Sequence, residues 1–231
     1  MRVVEIWRYP VKSLGGETLD TAEVGPDGIV GDRMWGLRDR ETQLVLTARR
    51  EPELLFLTAS LGDDGRPIIT DADGAPLPDD AALSDRVGRP VELVAAADGP
   101  ATFENPLNVD DETDWMQWQS AGRTFHDGRS TVSIVSTVSL GDWDRRRFRA
   151  NVVVDEGGED ALSGTVTIGT ARLALRKPLE RCVMVTRAQP GIERDRGVLK
   201  QVVADRDNKM GVGTIVESPG RIAVGDEVVA G

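Results

Sequence analysis

Short runs rich in Val, Ile and Leu, alternating with polar positions at a period of two, dominate this chain, and few stretches show a 3.6-residue period. Residues 2–8 (Arg-Val-Val-Glu-Ile-Trp-Arg) predict an opening strand, followed by a turn over Tyr9 to Gly16. Met34-Trp35-Gly36-Leu37 and Leu44-Val45-Leu46, around the turn Asp39-Arg40-Glu41-Thr42, predict a hairpin. Leu54 to Leu61 and Pro67 to Thr70 predict a second pair, and residues 71–82, rich in Asp, Ala, Pro and Gly, read as a loop joining two halves. Strand character resumes over 87–94. Residues 98–124 are the least regular part, where Trp115 and Trp118, three apart, predict a short helix carrying both rings on one face.

Val132 to Val135 reads as a strand and Thr137 to Trp143 as a capped short helix. On a strand over Phe148 to Asp155, alternation puts Phe148, Ala150, Val152 and Val154 on a core face and Arg147, Arg149 and Asn151 on the other. Val166 to Ile168 and Ala171 to Leu175 form a hairpin that leads into Lys177-Pro178-Leu179-Glu180-Arg181-Cys182. Val183 to Val185 then predict a further strand, on which Cys182 shares a face with Glu180 and Met184 while Arg181 points away. A helix is expected around 197–203, and two closing strands around Ser218-Pro219-Gly220. The expected fold is mainly β (α+β), a closed or partly closed barrel with a few short helices. Its boundary is expected near residue 80, giving units 1–80 and 81–231, with N-terminal strands shared between them.

Charge narrows the function. The chain of 231 residues carries a formal net charge of -11, which argues against a non-specific nucleic-acid binder or a protein held on anionic membrane. No apolar run is long enough to span a bilayer, and Met1 leads into strand-like sequence with no apolar signal region, so a cytoplasmic location is expected. One cysteine forms no internal disulfide, and one cysteine with one histidine builds no Cys/His zinc site within a chain.

Candidate chemistry sits on turns. Lys12 and Ser13 place an ammonium beside a hydroxyl, which suits a phosphate, although a solvated loop would read the same way. Arg33, and Thr47 with Arg49, follow on later turns, with surface charge the default reading for each arginine. The Arg147/Arg149/Asn151 face suits an anion-binding wall or a solvated sheet. His126, in Phe125-His126-Asp127-Gly128, reads as a surface or satisfied residue. Cys182, a lone thiol where a loop enters a strand, reads as packing, nucleophile or soft metal ligand, with packing the default from the residue alone.

Tyr9-Pro10-Val11-Lys12-Ser13, Gly31-Asp32-Arg33, Thr47-Ala48-Arg49, Phe148-Arg149-Ala150-Asn151, Arg181-Cys182 and Val224-Gly225-Asp226-Glu227 together resemble, in order, the blocks of MOSC-domain proteins. These are proteins with an N-terminal β-barrel part, and the family includes the amidoxime-reducing component. The resemblance implies a molybdenum cofactor (molybdopterin with molybdenum) ligated by Cys182. Lys12, Ser13 and Arg33 would grip the terminal phosphate, Arg149 and Asn151 line the pterin, and Asp127 lie close to the metal, with Thr47 and Arg49 as further carry-overs. It also implies an oxidoreductase that reduces small N-hydroxylated substrates. No cysteine remains for an iron–sulfur cluster, so electrons are expected from a separate flavin, haem or iron–sulfur protein. The alternatives are a carrier of a Cys182 persulfide for cofactor sulfuration and a non-catalytic cofactor-binding module. Leu179 and Glu180 depart from the family pattern, in which a second cysteine and a small residue often stand.

Overall fold

The structure is a computed structural model and describes residues 1–108, 111–120, 123–126 and 130–231. Most of its regular structure is strand, as the short alternating runs dictate, and three short helices accompany it among the described residues. The largest element is a curled eight-stranded sheet. Its strands run in the order Val228–Ala230, Thr165–Ile168, Ala171–Glu180, Lys209–Ser218, Val132–Ser136, Val152–Val154, Val3–Arg8 and Glu17–Leu19.

All neighbours in that sheet are antiparallel except Val132–Ser136 and Val152–Val154, where Ile134 lies opposite Val152 in parallel. A parallel pair needs a crossover. Here the helix Thr137–Leu140, capped by the Ser136 hydroxyl, and the 3-10 turn Arg145–Arg147 make it. The crossover thereby delivers Arg147, Arg149 and Asn151 to the start of the Val152–Val154 strand. Alternation fills one side of the sheet with Val3, Ile6, Ile134, Val152, Val154, Val166, Ile168 and Leu173. Each such buried side chain contributes roughly 1.5–3 kcal/mol. A second cluster, including Phe148, Ala150, Val153 and Val202, covers the other side against the helix Gly197–Arg206.

The N-terminal part packs around Leu14, Leu37, Leu54, Leu57 and Leu83. Several expectations are corrected here. The hairpin partner of Trp35–Asp39 is Val91–Ala95, in full antiparallel register, while Leu44 to Leu46 adds one bridge, Arg38 to Val45. Gln43 stands at φ 62°, which turns the chain so that Val45 enters a separate cluster with Phe103 and Phe125. Strand structure begins at Thr58, after a 3-10 turn Pro52–Phe56, and pairs with Pro67–Thr70 as expected. The expected loop over 71–82 ends in a helix Asp80–Val87, started by the Asp79 carboxylate accepting from the Ala82 amide and stopped by Gly88 at φ 78°.

Trp115 and Trp118 lie in a strand, Asp111–Gln119, paired with Thr102–Asn108, and not in a helix. Residues three apart on a strand face opposite ways. Trp118 accordingly packs on Phe103, ring centroids 5.2 Å apart, whereas the Arg50 guanidinium covers Trp115. The expected strand from Phe148 is regular only over Val152–Val154, because Arg149 takes φ 52°. Its expected inward set is buried but does not share one face, since Phe148 and Ala150 pack with Val153 on the side opposite Val152 and Val154. Val183 to Thr186 form a 3-10 turn where a strand was expected. No helix among the described residues is long and apolar enough to cross a membrane.

Candidate functional site

A cavity of about 210 Å³ opens where the Lys12–Ser13 turn, Arg33 and Arg49 face the segments 147–151 and 179–185. Its charge is lopsided. Among the described residues its walls carry Lys12, Arg33, Arg49, Arg147, Arg149 and Arg181 against one carboxylate, Glu180, in a chain whose net charge is strongly negative. A local excess of cations in a partly buried space attracts anions far more than the same charges would on the surface.

Main-chain carbonyls and one buried carboxylate explain why these cations converge. The Lys12 ammonium, 6% exposed, donates to the Phe125 carbonyl at 2.9 Å and sits 4.7 Å from the Phe103 ring centre. Arg33 pairs with Asp32 and donates through Nη2 to the Arg149 carbonyl at 3.0 Å, and Arg149 donates to the Leu14 carbonyl. Asp32, buried, also accepts from the Tyr9 amide at 2.7 Å and lies 3.3 Å from His126 Nε2. The Ser13 hydroxyl accepts from the Ala48 amide at 3.0 Å, which leaves its own hydrogen to donate. Asn151 braces the wall: its Oδ1 accepts from Ser133 N and Oγ, and its Nδ2 donates to the Trp7 carbonyl.

Backbone strain marks the same wall. Ser13, Arg33 and Arg149 stand at φ 70°, 51° and 52°, half of the six non-glycine residues with positive φ among those described. Non-glycine residues held in the left-handed region cost free energy and persist where their surroundings fix them, often at functional sites.

The thiol lies across from these cations. Cys182, half-buried, precedes the 3-10 turn Val183–Thr186, and Leu179, Glu180, Met184, Val185 and Phe148 line the cavity around it. Gly213 lets the chain pass closely beneath: a Cβ there would stand 2.2 Å from Ser130 Oγ and 3.0 Å from Leu179 Cδ2. Arg181 does not point away from Cys182: the strand ends at Glu180, and both residues line the cavity. Arg181 is buried, donating Nε to the Met210 carbonyl at 2.7 Å and Nη1 to the Phe148 carbonyl at 3.1 Å, while Nη2 has no hydrogen-bond partner among the described residues. Burial pulls its pKa down to about 10, which the nearby Cys182 and Glu159 oppose, so the guanidinium stays protonated at neutral pH.

The structure thus brings Lys12, Ser13, Arg33, Arg49, Arg149, Asn151 and Cys182 to one cavity. Thr47 is not in its wall. Its hydroxyl faces a neighbouring pocket beside Glu104, and its carbonyl accepts from the Arg50 and Glu51 amides. Asp127 lies outside the described residues. His126 is buried in the cavity wall and not on the surface. Arg147 is buried and donates to the Val185, Arg187 and Glu193 carbonyls, so it fastens the segment that follows Cys182. Arg181 was hidden from sequence reasoning by an assumed strand geometry, whereas the Arg147/Arg149/Asn151 face and the Tyr9-to-Ser13 turn were open to it.

A curled β-sheet and a cavity lined by cations with one thiol in its wall define a mainly β, barrel-type protein. The chain belongs to the MOSC family: residues 1–118 match the MOSC N-terminal beta barrel domain and residues 111–229 match the MOSC domain. Over 66 residues it is 36% identical to mitochondrial amidoxime reducing component 2 of Bos taurus, a match covering 27% of this chain and 19% of that protein's length. Among solved structures, it aligns with the YUAD protein from Bacillus subtilis at 14% identity and a TM-score of 0.44, over 98% of this chain and 93% of that one. YiiM from Geobacillus stearothermophilus aligns at 16% identity and a TM-score of 0.35, over 43% and 53%.

Proposed function

We propose that this chain binds a molybdenum cofactor in the cavity and acts as an oxidoreductase on small N-hydroxylated substrates. The observation that carries the reading is that one cavity holds both a thiol and a strained, cationic wall. The residues fit such a group. A thiolate is a suitable soft ligand for a sulfur-rich metal centre. Among the described residues no three His, Cys, Asp or Glu side chains gather to hold a metal, so the remaining donors would come from the pterin's own sulfurs. Lys12, Ser13 and Arg33 would hold the phosphate through an ammonium, a hydroxyl and a guanidinium. Arg149 and Asn151 would flank the pterin, with Arg49 at the edge and the unpartnered Arg181 Nη2 available to an acceptor.

When bound, the molybdenum centre supplies two-electron redox chemistry. Reducing an N–OH group to N–H consumes two electrons and two protons and releases water, the electrons arriving from a separate flavin, haem or iron–sulfur protein. Leu179, Met184 and Val185 would exclude water beside the thiol, and Glu180 would stand nearest a polar or cationic substrate group. Similarity over 66 residues to a protein named as an amidoxime reducing component supports this reading.

The test is molybdenum and pterin per chain after expression in a host that makes the cofactor, for wild type, Cys182→Ala and Arg33→Ala. Near-stoichiometric metal in wild type, lost in Cys182→Ala, with pterin lost in folded Arg33→Ala, is expected. Wild type without metal or pterin, but carrying a persulfide on Cys182, would overturn the oxidoreductase reading in favour of a sulfur carrier.

A further inference from the structure

Tyr9 sits at the centre of the cationic wall and outside the lining that the cavity exposes. Its ring, 2% exposed, has the Arg149 guanidinium 4.3 Å and the Arg33 guanidinium 4.9 Å from its centre. Both distances are within cation–π range, and a buried ring strengthens such contacts by excluding water. The ring is itself held. Trp7 stacks on it at 6.0 Å with a 14° interplanar angle, and its main chain is tied at both ends, the amide to Asp32 and the carbonyl to the Arg33 amide at 2.7 Å. Gly16 leaves the space it fills, since a Cβ at that position would stand 2.5 Å from Tyr9 Cδ1.

Two like charges converging on one ring repel each other. Asp32 offsets part of that repulsion through its ion pair with Arg33, and the electron-rich face of the aromatic ring adds an attraction that both guanidiniums share. Burial raises the Tyr9 phenol to a pKa of about 12, against the lowering influence of Arg149 and Arg33, so the ring is neutral throughout the physiological range.

We infer that Tyr9 is a positioning residue of the anion site: its ring holds the Arg33 and Arg149 guanidiniums together, pre-set to receive a phosphate group. The ring acts through the two arginines, and its hydroxyl is dispensable. The inference rests on the cavity being an anion site, which the cofactor reading shares.

The experiment uses inorganic phosphate as probe and the full chain, made in a host that lacks the pterin. Calorimetric affinity is measured for wild type, Tyr9→Phe, Tyr9→Leu, and chains with 3,5-difluoro- or pentafluorophenylalanine at position 9. Fluorination drains the ring's negative face while keeping its shape, so these chains report on cation–π contact even where Tyr9→Leu unfolds. Tyr9→Phe is expected within about twofold of wild type, the difluoro chain weaker, and the pentafluoro chain and Tyr9→Leu about tenfold weaker. Equal affinity across the ring series, or wild type that binds no phosphate, overturns the inference. Pterin occupancy, measured separately in a cofactor-making host, separates the two readings. A graded phosphate series with no pterin in wild type sinks the cofactor assignment alone, and bound pterin with a flat series sinks the role of Tyr9 alone.

Discussion

Removing the Arg147 side chain should loosen the segment that carries the thiol. Arg147 is 8% exposed and meets three main-chain carbonyls: Glu193 at 2.7 Å through Nη2, and Val185 and Arg187 at 3.2 and 3.3 Å through Nη1. The short bond to Glu193 is charge-assisted and should contribute about 2 kcal/mol, and the longer shared pair about 1 kcal/mol together. Arg147→Ala should therefore cost about 3 kcal/mol, which in a chain of this size lowers Tm by about 6–12 °C. Scanning calorimetry reads the first number. Amide exchange reads its location: the Gln189, Ile192 and Asp195 amides, which close this segment through bonds to Ile192, Gln189 and Thr186, should exchange on the order of 100-fold faster. Arg147→Lys, with one nitrogen in place of a planar fork, should recover less than half of the loss. A Tm within about 2 °C of wild type would refute the reasoning, and so would loop amides accelerated no more than those of the Val132–Ser136 strand.

Glu159 is buried, and burial alone would raise its carboxyl. Hydrogen bonds from the Ser136 and Ser139 hydroxyls and the Gly211 amide outweigh that and hold its pKa below the ordinary value near 4.5. The stability it contributes is thus full above pH 4.5 and lost as pH falls through the folded value. Glu159→Gln should be about 2 kcal/mol less stable at pH 7 by urea titration, with the gap closing in acid, and a gap independent of pH would count against this. Gly213→Ala should push Ser130 and Leu179 into the cavity and cost about 1–3 kcal/mol, read by calorimetry, with a crystal structure showing a narrowed wall beside Cys182. Asp32→Asn keeps an acceptor for the Tyr9 amide but removes the charge beside Arg33 and His126. It should cost about 3 kcal/mol and lower cofactor occupancy several-fold, so a stable, fully loaded variant would contradict the role given to Asp32.

Chemistry-bearing turns were more legible than strand geometry. Lys12, Ser13 and Arg33 announced themselves because turn sequences put polar residues beside Gly and Pro, and the structure gathers them in one cavity. Alternation marked Phe148, Ala150, Val152 and Val154 as buried, which they are, but wrongly put them on one face, because only Val152–Val154 is a strand and Phe148 and Ala150 join the cluster on its other side. It placed Arg147 with Arg149 and Asn151, which line one cavity here, but it set Arg181 away from Cys182, whereas both line that cavity because the strand ends at Glu180 and a 3-10 turn follows. Pairing was the least legible. Trp35–Asp39 prefers Val91–Ala95 over its neighbour in sequence, and Trp115 and Trp118 joined a hairpin, since a strand's partner depends on burial contributed from far along the chain.

The pairing of the first strand has a kinetic meaning. Val3–Arg8 docks on Val152–Val154, with Val3 opposite Val154, and the amides of Val3 and Val228 close on the carbonyls of Asp226 and Met1. Contacts this distant in sequence slow folding, because loop closure must precede any gain from pairing. During synthesis at roughly 5–20 residues per second, the strand's apolar residues Val3, Val4 and Ile6 wait on the order of ten seconds for their neighbours to emerge. Through that interval an unpaired, β-prone segment is available to other nascent chains. Glu5 and the flanking arginines Arg2 and Arg8 place charge within and beside that run, the kind of interruption that disfavours pairing between unfinished copies, and in the finished fold Arg8 pairs with Glu17 of the neighbouring edge strand.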